Sequence, residues 1–113
     1  MKAVDFHPAA LKIIKGFPVN VRKIIGQAIL ELQRGEKLSM PLSRPVKSVG
    51  SGVEEIRSKD LNGIYRTFYL ARMKDRIIVF HAFIKKTQKM PKKEIIPIVF
   101  EFFRFLFKRH SLL

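Results

Sequence analysis

Three strand-like runs follow one another closely: Val53 to Ser58, Ile64 to Ala71, and Arg76 to Lys85. Asn62-Gly63 and Lys74-Asp75, both turn-forming pairs, separate them. Gaps this short cannot carry a crossover connection, so neighbouring runs must pair antiparallel, as a meander. Ala3-Val4-Asp5-Phe6 reads as a further short strand, and Pro8 opens a helix that ends at Gly16. Pro18 starts a longer helix. Val21, Ile24, Ile25, Ala28, Ile29 and Leu32 recur at three- and four-residue steps along it until Gly35. Residues 36–52, broken by Pro41, Pro45, Gly50 and Gly52, read as loop. A last helix runs from Pro91 and is kinked by Pro97.

The order β-α-α-β-β-β-α predicts an α+β fold. Its small antiparallel sheet, a three-strand meander plus the N-terminal strand, is covered on one face by the helix hairpin. The other face is left open to a ligand. At 113 residues the chain is expected to form one domain over 1–113. Residues 1–35 supply the strand and helix hairpin, 53–86 the sheet, and 91–109 an apolar C-terminal helix. Ile95 to Phe107 is apolar nearly all round, so a core role is expected for it. It is too short to span a bilayer, which takes ~20 apolar residues, and no membrane association is expected. The start of the chain lacks the apolar region of a signal peptide. With no cysteine, neither disulfides nor thiolate metal sites are available, and a cytoplasmic setting is compatible with this.

The formal net charge is +14, with +6 in the first 52 residues and +8 in the rest, so it is spread over the domain. Such a surface attracts phosphates or an acidic partner. Side chains alternate along strands. Val53, Glu55 and Arg57 therefore share one side of their strand, and Ile64, Arg66, Phe68 and Leu70 share one side of theirs. On the last strand Ile77, Val79, His81, Phe83 and Lys85 do the same. Glu55, Arg57, Arg66, His81 and Lys85 can then converge at one end of the sheet. Such a set suits RNA cleavage by 2′-hydroxyl attack. Arginine and lysine neutralise the phosphorane, Glu55 or His81 takes the proton, and Phe83 or Tyr65 stacks a base. No metal or other cofactor is needed. Each residue also has a plainer reading. Arg66 can pair with Glu55, Arg57 can be a surface charge, His81 a core histidine, and the lysines a solvated face. Composition and spacing alone reach a basic RNA- or partner-binding domain.

A motif carries the reading further. Gly52-Val53-Glu54-Glu55-Ile56-Arg57, Asn62-Gly63-Ile64-Tyr65-Arg66-Thr67-Phe68-Tyr69 and Phe80-His81-Ala82-Phe83-Ile84-Lys85-Lys86-Thr87-Gln88-Lys89-Met90-Pro91 resemble the phage-derived HigB-like branch of the RelE toxin superfamily. The resemblance implies the toxin of a type II toxin–antitoxin pair, a ribosome-dependent mRNA endoribonuclease that arrests growth. It implies a HigA-like helix-turn-helix antitoxin, held in a hetero-oligomer, and contact with ribosome and mRNA. By position, Arg66 matches the strand arginine that the superfamily places at the scissile phosphate. Arg57 matches a basic residue on the preceding strand, and Lys85 and Lys86 its last-strand basic groups. Lys86, Thr87 and Lys89 are expected on the RNA backbone. The chain departs from the pattern in three ways. Glu54 and Glu55 stand where the best-studied members have lysines, no tyrosine follows Tyr69, and the closing helix is apolar. The alternative reading is a decayed toxin that binds RNA or its antitoxin without chemistry.

Overall fold

The strands form where period-two alternation and turn residues place them. In chain order the elements are β1 (Ala3–Phe6), α1 (Pro8–Lys15), α2 (Val19–Gln33), β2 (Ser43–Pro45), β3 (Val53–Asp60), β4 (Gly63–Leu70) and β5 (Arg76–Lys85). This is a computed structural model that describes residues 1–71, 73–85, 97, 98 and 100. The strand order is β1-β5-β4-β3-β2. The meander β3-β4-β5 is antiparallel as expected, but the sheet as a whole is mixed, because β1 runs parallel to β5. The α1–α2 hairpin between β1 and the meander supplies the crossover that a parallel pair needs.

The fifth strand was not legible in the loop-like segment. β2 is three residues long and ends in a proline, which only an edge strand tolerates. It pairs antiparallel with β3, setting Arg44 opposite Glu55. The buried hydroxyls of Ser43 and Tyr69, 2.6 Å apart, tie it to the central strand.

Both helices cover one sheet face. Val21, Ile25, Ala28, Ile29 and Leu32 of α2 are buried against Ile56, Tyr65, Tyr69 and Val79. Ile24 and Ile13, expected on the apolar sides of their helices, are instead 41% exposed. In each case the next residue, Ile25 or Ile14, takes the buried place, since inward positions on a helix recur at three or four residues. Tyr65 meets Phe17 edge-on at 4.9 Å, and its hydroxyl donates to Asp60 at 3.0 Å.

Burial raises both phenols above their ordinary 10.0, and it pushes Tyr69 up to about 12. The Asp60 hydrogen bond and charge add to the rise at Tyr65. At Tyr69 the Ser43 bond opposes the rise and Glu54 adds to it. A raised phenol favours the folded state while it stays neutral. That contribution is complete below pH 10 and is lost as pH climbs from 10 towards 12. The native protein should therefore develop tyrosinate absorbance only well above pH 10, while urea-unfolded chain titrates near 10. Native tyrosines that ionise at 10 would contradict this burial.

The opposite face is divided along the strands. One half is a second apolar core, in which Val53, Phe68, Leu70, Ile78 and Phe80 are roofed by Val46 and Val49. Pro97, Ile98 and Phe100 are helical, and Ile98 is fully buried in this core while Phe100 is 64% exposed. The face expected to be open is thus half closed. Most of the predicted 91–109 helix lies outside the described residues. Among those residues no helix is long and apolar enough to cross a membrane.

Candidate functional site

The other half of this face is assembled by strand register. Arg57, Arg66 and Phe83 form one row across β3, β4 and β5. Arg44, Glu55, Phe68 and His81 form the row before it, and Lys59, Ile64 and Lys85 the row after. The expected convergence of Glu55, Arg57, Arg66, His81 and Lys85 is what the register gives, and Phe83 joins them. Gly63 permits it at the turn. Its φ is +147°, and a β-carbon there would stand 2.7 Å from the carbonyl oxygen of Lys85. Only glycine lets β4 begin this close to the end of β5.

Alternation on β5 differs from expectation at one place. Phe68 pairs with His81, but Tyr69 pairs with Val79, so Phe80 is an extra residue in β5. This bulge turns Ile77 and Val79 to the helix face and leaves Ile78, Phe80, His81 and Phe83 on the other. The expected set of Ile77, Val79, His81, Phe83 and Lys85 is therefore split between two faces. An inserted residue re-aims the side chains on one side of it.

The centre of the site is a carboxylate. Glu55 has 0% exposure. Arg44 donates Nε–H to its Oε1 at 2.7 Å. Arg57 Nε stands 3.6 Å from the same oxygen, and Arg66 Nη1 stands 3.7 Å from Oε2. Arg57 and Arg66 are direct cross-strand partners, an arrangement that like charges disfavour. Glu55 bridges them and offsets the repulsion. The three arginine side chains grade in exposure from Arg66 at 0%, through Arg57 at 19%, to Arg44 at 36%. Burial lowers the pKa of Arg66, Glu55 opposes that shift, and Arg57 and Arg44 add to it. Arginine stays charged through such shifts.

Half-buried rings lie alongside. Phe83 stacks on Phe68 at 5.8 Å, with 16° between the planes. His81 sits 5.8 Å from Phe83 and 6.0 Å from Phe68. His81, Phe83 and Lys85 are each partly exposed.

Three expectations need correction. Arg66, expected at the scissile phosphate, has 0% exposure and cannot touch a substrate directly. Tyr65 is on the helix face beneath Phe17 with 4% exposure, so it cannot stack a base. Alternation already put it opposite Arg66. Glu55, considered as proton acceptor, is sealed among guanidiniums, so a substrate hydroxyl cannot reach it. Arg44 was missed, because nothing in the sequence marks a strand at Ser43–Pro45. Lys86, Thr87 and Lys89 lie outside the described residues. A cavity of about 820 Å³ opens elsewhere, between the end of α2 and the loop before β3. Lys2, Leu32, Lys37 and Met40 help line it, and none of the predicted site residues among those described does.

Comparison with known proteins adds family and fold. The model of the phage derived protein Gp49-like family (DUF891) matches residues 12–99. Among solved structures, a mutant of the E. coli toxin RelE in the free state aligns with a TM-score of 0.61 at 16% identity. That alignment covers 88% of this chain and 95% of that one. The isolated E. coli RelE toxin gives 0.56 at 17% identity, over 86% and 97% of the two chains. The RelB-RelE antitoxin-toxin complex from Methanococcus jannaschii gives 0.52 at 24% identity, over 70% and 87%. At these identities the likeness establishes a RelE-like fold. No curated protein matches the chain.

Proposed function

Because the chain belongs to the phage-derived Gp49-like family, we propose that it is the toxin of a toxin–antitoxin pair, an endoribonuclease of the HigB-like kind that cuts mRNA on cytoplasmic ribosomes. The RelE-like fold supports this reading. The observation that carries it is the gathering of Arg44, Arg57 and Arg66 at one sheet end, beside partly exposed His81, Phe83 and Lys85.

Arg57 and Lys85 take up the negative charge that builds on the phosphorane, helped by Arg44. The 2′-hydroxyl attacks phosphorus and gives its proton to His81, the P–O5′ bond breaks, the 5′-oxygen takes a proton from water, and a 2′,3′-cyclic phosphate remains. Phe83 stacks a splayed base. Arg66 is too buried to touch the substrate directly. It fixes Glu55 and strengthens the local positive potential from beneath. Lys86, Thr87 and Lys89 are assigned to contacts with the RNA backbone. The partner is a HigA-like helix-turn-helix antitoxin, bound in a hetero-oligomer. No metal or other cofactor enters the scheme.

Induction of the chain without a partner should arrest growth, with mRNA cut inside codons. Arg57→Ala should lower cleavage about a hundredfold, the usual cost of one lost transition-state donor. It should stay folded, since Arg57 is partly exposed. A folded Arg57→Ala protein that arrests growth as well as wild type would place the chemistry elsewhere. A second reading is favoured by the complete burial of Glu55 and Arg66. On that reading the cluster holds a decayed toxin together, and the chain binds RNA or its antitoxin without cutting. Unaffected growth on induction of the wild-type chain would support it.

A further inference from the structure

The grip on RNA requires guanidiniums at fixed spacing, and nothing about a long side chain on an edge strand fixes it. Arg44 comes from three-residue β2, while Arg57 lies across from another arginine. Building on the nuclease reading, we propose that Glu55 is a positioning residue: its buried carboxylate holds Arg44 and Arg57 together as a preformed grip for one RNA phosphate, with Arg66 anchoring it from below.

The geometry supports this in three ways. A carboxylate and a phosphate ask the same planar fork of arginine, so side chains arranged around Glu55 are already shaped for the substrate. The Nε of Arg44 is engaged by Glu55 at 2.7 Å, and a guanidinium has four further N–H groups to offer. The exposure gradient from Arg66 to Arg44 aims the positive groups outward on the β2 side. Ordering long side chains before the ligand arrives removes an entropic cost of binding. The same carboxylate acting only as a charge would repel RNA. The two roles therefore predict opposite signs when it is neutralised.

A 2′-O-methyl RNA oligonucleotide, which lacks the attacking hydroxyl, is the probe, and its affinity is measured as a function of salt. Glu55→Gln should weaken binding about tenfold, the equivalent of one charge-assisted hydrogen bond, although a negative charge has been removed. Arg44→Lys keeps its charge and loses the planar fork, and it should weaken binding to a similar degree. The double variant should be no weaker than either single one, because each breaks the same unit. Arg44→Ala should flatten the log–log salt dependence by about 0.7, one phosphate's share for single strands. Circular dichroism confirms folding of each variant. If Glu55→Gln does not fold, partly exposed Arg44→Lys decides alone.

Equal or tighter binding by folded Glu55→Gln overturns the proposal. So does wild-type affinity in Arg44→Lys, or no RNA binding by the wild-type chain. Growth arrest by the wild-type chain is scored separately. The expected binding pattern without arrest sinks the nuclease reading and leaves Glu55 its role, and arrest with tighter binding by Glu55→Gln does the reverse.

Discussion

Arg66→Ala is expected to lower the free energy of unfolding by about 3–5 kcal/mol, the range for breaking a buried ion pair from one side. The side chain has 0% exposure on the central strand, and its Nη1 stands 3.7 Å from Glu55 Oε2. Truncation removes a long aliphatic stem from a closed space and takes one of three cationic neighbours from a buried carboxylate. Urea denaturation followed by circular dichroism measures the drop. Arg66→Met fills most of the same volume without charge, so it separates the two contributions. Recovery of wild-type stability in Arg66→Met would mean that packing dominates. An Arg66→Ala protein as stable as wild type would show that the cluster does not hold the sheet together. The consequence for function is direct. On the proposed nuclease reading, loss of growth arrest on truncating Arg66 would report folding as much as chemistry, and for that reason Arg57 is the cleaner probe of the site.

Phe68→Ala is expected to cost about 3–5 kcal/mol, as usual for a buried phenylalanine truncated in a core. The ring is completely buried where the apolar half of the face meets the cationic half. It lies 6.4 Å from Phe80 on one side and stacks on Phe83 at 5.8 Å on the other. Truncation leaves a cavity under Phe83 and His81, so the variant should bind RNA more weakly wherever it remains folded. Phe68→Leu keeps most of the volume and should cost under about 1.5 kcal/mol. The urea midpoints of the two variants give the comparison. Equal midpoints would mean that this ring is not the support beneath the site.

Local signals were enough for most of the fold. Alternation and turn residues gave β3, β4 and β5 nearly to the residue, since period-two patterning between short turns leaves few other structures. Helix periodicity gave α1 and α2, although it could not tell Ile24 from Ile25 as the inward residue. The parallel pairing of β1 with β5 was out of reach because it depends on contacts remote in sequence. The bulge at Phe80 had no marker, as apolar residues on both sides of it suit either face. Convergence of the site residues was legible from alternation alone, and the placement of Tyr65 under the helices was implicit in the same pattern. Arg44 stayed hidden because Pro41 and Pro45 suppress any strand signal around it. The complete burial of Arg66 had no marker either, because alternation assigns a side chain to a face without showing how deeply it is buried there.

The seating of β1 beside β5 sets an order of events during synthesis. Ala3 lies opposite Arg76 and Phe6 opposite Val79, so β1 finds its partner only after β2, β3 and β4 have been made. Pairings that distant in sequence form slowly. The β1–β5 edge can therefore close only once β5, the strand that carries Phe83 and Lys85, has itself been made.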